Sequence, residues 1–226
     1  MISAAIDKSE SVAGRHRTSD EAAPWIVITI LVALPILFNA IALFPEVQHT
    51  APSTNDQVFH YLFIERANQA ISAGANPFDH WLPELELGFP QFLYYQNLPH
   101  LAVVAIYRLL LGSVSLLRLL NLARYLLLVL FPLTVFWSMR RMEFSAIAAA
   151  VGAAFSSMLS SRLDFGFDFN SYIWRGYGMF PQLCSMHLIF IGTACVRRVL
   201  VRGEGFCAGS CATHAGPVSA SRHLCA

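Results

Sequence analysis

The sequence predicts an all-α, multi-pass membrane protein of about five spans, with a long extracytoplasmic first loop that contains a surface helix. Of its 226 residues, 56% are hydrophobic and only 13% are charged. A soluble domain usually carries about 25% charged residues, so the deficit indicates that much of the surface faces lipid. The formal net charge of +1 provides no basic field, which argues against nucleic acid as a partner. The lipid bilayer is therefore the first expected partner.

The first span is predicted at 25–45, where 21 consecutive positions carry no charge. A helix of that length crosses a hydrocarbon core of about 30 Å. It is too long for the apolar region of a secretory signal, and no small-residue cleavage site follows it. The polar segment 1–24 contains Lys8, Arg15 and Arg17, and cytoplasmic segments are enriched in such residues. We therefore expect a cell (inner) membrane protein with a cytoplasmic N-terminus.

Further apolar runs bring the expected number of spans to about five, with four and six as the alternatives. These runs are 101–112, 122–138, 146–160 and 183–196. The first of them is short and carries Arg108, which fits either a tilted span or a helix in the membrane interface. The predicted membrane domain is 25–202, and its first outer loop is 46–98.

Charge alone leaves two topologies open. Five spans would place Arg140, Arg141 and the later arginines near 197–202 outside the cell. If 99–120 instead lies in the interface without crossing, all of these arginines fall on the cytoplasmic side. The second topology agrees better with the positive-inside tendency, whereas the first needs no unusual element.

A surface helix is predicted at 56–73 in the first outer loop, with Gly74 as its left-handed stop. One face of this helix is apolar and carries Phe59, Leu62, Phe63, Ala67, Ala70 and Ile71. The opposite face carries Gln57, His60, Asn68 and Ser72. Lying on the membrane, the helix would put its apolar face into the headgroup boundary. Asp56 and His60, one turn apart, would then share the face that looks into water.

A family resemblance rests on the segment that follows the first span. An acidic residue opens the surface helix in NDQVFHY, and the loop continues as GANPFDHWLPELELGFPQFLYYQNLPHL. This order resembles the amino-terminal part of the GT-C superfamily of polytopic glycosyltransferases. The most similar group is the bacterial membrane proteins labelled as 6-pyruvoyl-tetrahydropterin synthase-related. The resemblance covers residues 25 to about 200, and it favours the five-span topology.

The resemblance implies transfer of a sugar from a polyprenyl-phosphate donor on the extracytoplasmic face. The acid of the first loop acts in such enzymes as a base or a metal ligand, and Asp56 is the matching position. An attacking hydroxyl must lose its proton, and a nearby carboxylate can accept it. A divalent metal is a cofactor that this chemistry admits, although none is certain. The expected metal ligands are Asp56, Asp164 and Asp168, and the expected substrate-binding residues are His60, Tyr94, Tyr95 and Arg175.

Each of these residues also has a simpler explanation. Asp56 at a helix start stabilises the helix dipole by roughly 0.3–1 kcal/mol without any catalytic role. His60 fits packing at the interface, and Asp164 with Asp168 fits a solvated turn. The aromatic residues of the loop fit an interfacial belt better than a sugar-stacking platform. These belt candidates are Trp81, Phe89, Phe92, Tyr94 and Tyr95.

The segment 203–226 differs in composition from the rest of the chain. The first 183 residues contain no cysteine, yet the last 20 contain Cys207, Cys211 and Cys225 with two histidines between them. A zinc site is one interpretation, but the spacing fits no finger or ribbon. The other interpretation, which we favour, is an unstructured segment translated out of frame, so that the chain is a truncated fragment.

Two further functions compete with sugar transfer. A non-enzymatic polytopic protein, such as a lipid or polysaccharide transporter subunit, would carry polar residues along a path inside its spans. Arg108 and Arg124 are the candidates for that role. An inactive fragment is the third interpretation.

Overall fold

The computed structural model describes residues 25–52, 56–79, 81–83, 87–156 and 180–202. These residues form seven helices and one short β-hairpin. The helices are α1 (Trp25–Val47), α2 (Gln57–Ser72), α3 (Gln91–Tyr94), α4 (Leu98–Leu109), α5 (Leu116–Arg141), α6 (Ala146–Phe155) and α7 (Phe180–Arg202). The hairpin pairs β1 (Trp81–Leu82) with β2 (Phe89–Pro90) in antiparallel register. The tail 203–226, the segment 1–24 and the interpretations attached to them lie outside the described residues.

Three helices are long and apolar enough to cross a membrane within the described part of the chain: α1, α5 and α7. Their 23, 26 and 23 residues exceed the roughly 20 that a bilayer requires. Most of α1 and nearly all of α7 are not buried against other parts of the protein, as expected for helices whose surfaces face lipid. α4, with 12 residues, is too short to cross. The total of about five spans stays a prediction for the whole chain.

The three long helices pack with α5 antiparallel to α1 and parallel to α7. Asn39 of α1 donates to the carbonyl of Leu128 (3.1 Å), and farther along α1 the carbonyl of Ala40 accepts from Tyr125 (3.0 Å). The end of α1 meets the start of α5, where Asn121 donates to the carbonyl of His49. α1 therefore runs in the opposite direction to α5.

The same reasoning shows that α7 runs in the same direction as α5. His187, near its start, lies 2.8 Å from the carbonyl oxygen of Leu127, whereas Arg197, near its end, pairs with Glu143 beyond the end of α5 at 3.2 Å. Ile28 at the start of α1 packs with α6 residues and Phe136 at this same end. We call it the arginine end, because Arg140, Arg141, Arg197 and Arg198 all lie there. The opposite end is the cap end.

This arrangement differs from the expected five-span topology, which placed Arg140 and Arg141 opposite the start of the first span. The physical reason is the length of α4, which covers about 18 Å at 1.5 Å per residue. The chain between α1 and α5 consequently leaves and re-enters the bundle at the cap end. The described helices fit the topology in which 99–120 does not cross, and the number of spans stays a prediction.

The cap is formed by α2, the hairpin, α3 and α4 above the first turns of α5 and α7. Its core joins all of these elements and contains Phe63, Ile64, Leu82, Phe92, Val104, Leu120 and Phe180. The predicted stop of α2 is confirmed, since Gly74 has φ +71°, a conformation that costs glycine little. Burial of Phe92 here contradicts its assignment to an interfacial belt, whereas Trp81 is exposed.

The expected orientation of α2 is also wrong. Gln57 and His60, assigned to the aqueous face, are buried, and so is Phe63, which was assigned to the headgroup boundary. Phe59 is exposed, as the expectation required. α2 does not lie alone on the membrane but packs against α4 and α5. Those helices supply hydrogen-bond partners for the polar side chains, which removes the main cost of burying them.

Candidate functional site

A cluster of polar side chains is buried between the cap and the membrane-crossing helices. Its members come from α2, α4 and α5 and are at most 3% exposed: Gln57, His60, His100, Asn121 and Arg124. Buried polar groups in a membrane protein are costly and are therefore the first place to search for function. We call these five residues the polar cluster.

Two histidines form the centre of the polar cluster. The Nδ1 atom of His60 lies 3.0 Å from the Nε2 atom of His100. The backbone N–H of Phe180 donates to the Nε2 atom of His60 (3.2 Å), so that nitrogen is an acceptor. A neutral imidazole then carries its proton on Nδ1, from which His60 donates to His100. The Nδ1–H of His100 donates in turn to the carbonyl of Gln96 at 2.9 Å.

This chain of hydrogen bonds uses all four imidazole nitrogens and has one consistent direction. It begins at the backbone of Phe180 in α7 and ends at the carbonyl of Gln96, just before α4. A second proton on His60 would lie on Nε2 and point at the backbone N–H of Phe180. A second proton on His100 would lie on Nε2 and point at the Nδ1–H of His60. The geometry therefore requires both rings to be neutral.

Electrostatics favours the same protonation states. Burial lowers the pKa of His60 to about 4, and the positive charge of Arg124 contributes in the same direction. Burial lowers the pKa of His100 to about 3, helped by repulsion from His60, although the hydrogen bond to Gln96 acts in the opposite sense. Near neutral pH the pair is uncharged, with no nitrogen lone pair left to accept a proton from a substrate or to bind a metal.

Rings surround the histidine pair. Tyr95 packs against both imidazoles, with centroids 6.0 Å from His60 and 5.8 Å from His100. Phe63 and Phe180 approach His100 edge-on at 5.7 and 5.6 Å. Such contacts are favourable for a neutral ring and exclude water from the hydrogen bonds.

The second half of the polar cluster contains a charge. The side-chain oxygen of Asn121 accepts from Gln57 at 2.7 Å and from the guanidinium of Arg124 at 3.2 Å. The amide of Asn121 also donates to the carbonyl of His49, which ties the end of α1 into the cluster. Asn121 thereby joins α1, α2 and α5, and Arg124 places a positive charge inside a membrane-crossing helix.

Asp56 lies at the edge of this arrangement. It precedes α2, and its carbonyl accepts the N–H of His60 at 2.9 Å, but its side chain is exposed and does not cap the helix. Thus Asp56 and His60 do not share an aqueous face as expected. The carboxylate faces outward at the cap end while the imidazole faces the core.

Of the residues predicted from the sequence, the structure brings together His60 and Tyr95, with Asp56 one turn away. Tyr94 belongs to α3, but its side chain is not described. Arg175, Asp164 and Asp168 lie outside the described residues, so the proposed metal ligands are not tested as a set. Among the described ranges, no three His, Cys, Asp or Glu side chains are grouped as a metal site would require.

Sequence reasoning missed the partners that make the cluster. His100 lies in the quoted YYQNLPHL segment, where no role was assigned to it, and Asn121 was not considered. Arg124 was noted as a polar residue inside a span. The sequence feature that could have indicated the cluster is the pair Asn121 and Arg124. These two strongly polar residues lie three positions apart in an apolar run and therefore share one helix face.

Comparison with known proteins assigns no family to this architecture. No protein-family model, curated protein or solved structure matches the chain. The fold defines the chain only as a mostly helical protein with three described helices able to cross a membrane.

Proposed function

We propose that the chain is a glycosyltransferase-like membrane protein whose chemistry takes place at the cap end, with Asp56 as the general base. The observation that carries this proposal is the position of Asp56. It is an exposed acid that directly precedes α2, just beyond the membrane-crossing α1. A lipid-linked donor presents its phosphate at this level of the bilayer.

The distribution of arginines supports the required orientation. Arg140, Arg141, Arg197 and Arg198 share one end of the bundle, and α1, which Lys8 and two arginines precede in the sequence, begins at that end. Cytoplasmic loops are enriched in Lys and Arg. We infer that the arginine end is cytoplasmic and that the cap end faces the extracytoplasmic side, where polyprenyl-linked sugars serve as donors.

The reaction is a displacement at the anomeric carbon of the sugar. The acceptor oxygen forms a bond to this carbon as the bond to the donor phosphate oxygen breaks, and the lipid phosphate leaves with the electron pair. The acceptor proton passes to the Asp56 carboxylate. Negative charge that develops on the phosphate requires a nearby cation, which an arginine, a lysine or a divalent metal can supply.

In this proposal the polar cluster stabilises the cap around Asp56 and does not take part in the reaction. Contact between His60 and a substrate would require its bonds to Phe180 and His100 to break. Left intact, these bonds fix the first turn of α2 against α4 and α7. Asp56, whose carbonyl receives the His60 N–H, is held in place by the same turn.

The transporter interpretation is less well supported. Polar side chains within the long helices bond to neighbouring helices: Asn39 to the carbonyl of Leu128, and His187 to Thr134 (2.7 Å) and to the carbonyl of Leu127. Such bonds are those that join helices in membranes. The described polar groups therefore favour helix packing over a path for solutes.

The test is consumption of polyprenyl-phosphate sugars by the full chain in liposomes. A panel of such donors with different sugars is supplied together with a mixed glycan acceptor, and released lipid phosphate is measured. Asp56→Asn should lower the rate by about 10²–10⁴, the usual contribution of a general base. Asp79→Asn, an exposed acid of the same loop, is the matched control and should retain the full rate. Full activity of Asp56→Asn, or no donor consumed by the unaltered chain, would overturn the proposal.

A further inference from the structure

One face of α4 is exposed and consists only of apolar side chains. These residues recur along a single stripe of the helix and are Leu98, Ala102, Ala105, Ile106 and Leu109. The opposite face, with His100, Val103 and Val104, is buried in the cap. α4 therefore has an outer apolar face that is exposed within the described part of the chain.

The exposed stripe continues into the turn after α4. Leu110 and Leu111 are both exposed, and Leu111, with φ +51°, is 93% exposed. Leu109 in the last turn of the helix is 81% exposed. Three successive leucines directed outward would be unfavourable in water, and a contiguous apolar patch of this kind marks an interaction surface.

The charge of α4 is kept away from this surface. Arg108 is the only Lys, Arg, Asp or Glu in the helix. Its guanidinium donates to the carbonyl of Asn68 at 2.7 Å and to the hydroxyl of Ser72, both in the last turns of α2. This position is favourable because the C-terminal end of a helix attracts cations. The stripe consequently presents no charge.

The position of α4 identifies what covers the stripe. Val104 packs in one core with Leu119 and Leu120 from the first turns of α5, and His100 contacts Phe180 at the start of α7. α5 and α7 are long enough to cross a membrane, so α4 lies at the level where they enter it. A helix of about 18 Å at that level cannot cross a core of about 30 Å.

We propose that α4 lies in the plane of the membrane at the cap end, with its exposed stripe and Leu110–Leu111 inserted among lipid acyl chains. The occupant of this surface is the lipid leaflet, because α4 packs against the first turns of α5 and α7, both helices carry exposed apolar side chains, and the stripe offers no polar group to a protein. Arg108 lies at the edge of the insert, at headgroup depth. This inference is independent of the sugar-transfer proposal.

The test measures the environment of the stripe directly. Nitroxide labels are placed one at a time at Ile106→Cys and Leu109→Cys, in a full chain whose five native cysteines are replaced by alanine, reconstituted in phosphatidylcholine vesicles. Collision with oxygen, which concentrates in lipid, is compared with collision with a water-soluble nickel chelate. We expect oxygen to dominate at both positions. At His49→Cys, an exposed position after α1, the chelate should dominate.

Each outcome decides the proposal. Dominance of the chelate at 106 and 109 would show a water-facing stripe and overturn it. Low collision with both reagents would show that protein covers the stripe, for example a second copy of the chain, and would also overturn it. A second measurement uses the unaltered chain and a phospholipid with a diazirine in its acyl chain. Photolabelling within 98–111 supports the proposal, and no labelling there contradicts it even if the cysteine-free chain fails to fold.

Discussion

His60 donates from Nδ1 to the Nε2 atom of His100, 3.0 Å away and 40 residues later in the chain. This single bond joins α2 to α4, and the bond from Phe180 to the other side of His60 extends the link to α7. Three helices therefore meet at one pair of neutral rings. The pair holds the cap on the bundle only while neither imidazole carries a second proton.

The cap should open more readily in acid because of this pair. The open state exposes both rings, with pKa values near 6.5, whereas the closed state holds them at about 4 for His60 and about 3 for His100. Between these limits the open state binds more protons. Stability of the closed cap is thus full above pH 6.5 and falls as the pH decreases toward 4 and then 3. Each histidine contributes a slope of up to about 1.4 kcal/mol per pH unit.

Hydrogen exchange of the α2 amides, corrected for the intrinsic rate at each pH, measures this opening. The double variant His60→Gln with His100→Gln removes the titrating groups and should abolish the slope between pH 6.5 and 4. His49→Ala, which removes an exposed histidine outside the polar cluster, is the matched control. An identical slope in the double variant would show that other groups control opening.

Arg124 should control the width of this pH window. Its positive charge contributes to the low pKa of His60, second to burial. In Arg124→Met the pKa of His60 should rise toward its ordinary value, so the window narrows and less protection is lost between neutral pH and pH 4. The comparison is made relative to each variant's own protection at pH 7, because the substitution also removes a hydrogen bond to Asn121. Arg118→Met, at an exposed position six residues closer to the start of α5, should leave the window unchanged.

The sequence predicted those features of the fold that depend on a single helix and its own residues. The uncharged run at 25–45 lies within α1, and Gly74 ends α2 as predicted, since both depend on local composition or backbone conformation. The buried face of α2 could not be predicted in the same way. Gln57 and His60 are polar and look like an aqueous face until Asn121 and His100, 64 and 40 residues away, supply their partners.

The topology shows the same division. The apolar run at 101–112 was recognised, but its hydropathy does not distinguish a short span from a helix in the membrane plane. The difference arises from packing, since Val104 of α4 is buried against α5 whereas Leu109 of the same helix is exposed. The candidate site follows this pattern as well: Asp56 was found from a local motif, whereas His100 acquires its role only through a distant contact.

The two ends of the bundle should label from opposite sides of the membrane. Asp79→Cys lies at the cap end and Arg198→Cys at the arginine end, and both replace residues outside the polar cluster. In intact cells an impermeant maleimide should label Asp79→Cys only, and Arg198→Cys should react after the membrane is opened. Both variants need a background without the native cysteines. Labelling of Arg198→Cys in intact cells would show that the arginine end faces outward, as in the opposite orientation or in the five-span topology.

Substitutions at Asp56 and His100 should distinguish a loss of catalysis from a loss of cap stability. The Asp56 side chain is exposed, so Asp56→Asn should change the stability of the cap by no more than about 0.5 kcal/mol while removing the base for sugar transfer. His100→Ala leaves the Nδ1–H of His60 without its acceptor and empties a ring-sized space, at a cost of about 2–5 kcal/mol. Its rate of donor consumption should fall only as far as the fraction of closed cap falls, and lower temperature should restore part of it. Exchange of the α2 amides, measured on the same samples as donor consumption, distinguishes the two cases. Equal loss of protection in both variants would place Asp56 among the supporting residues and leave the base unassigned.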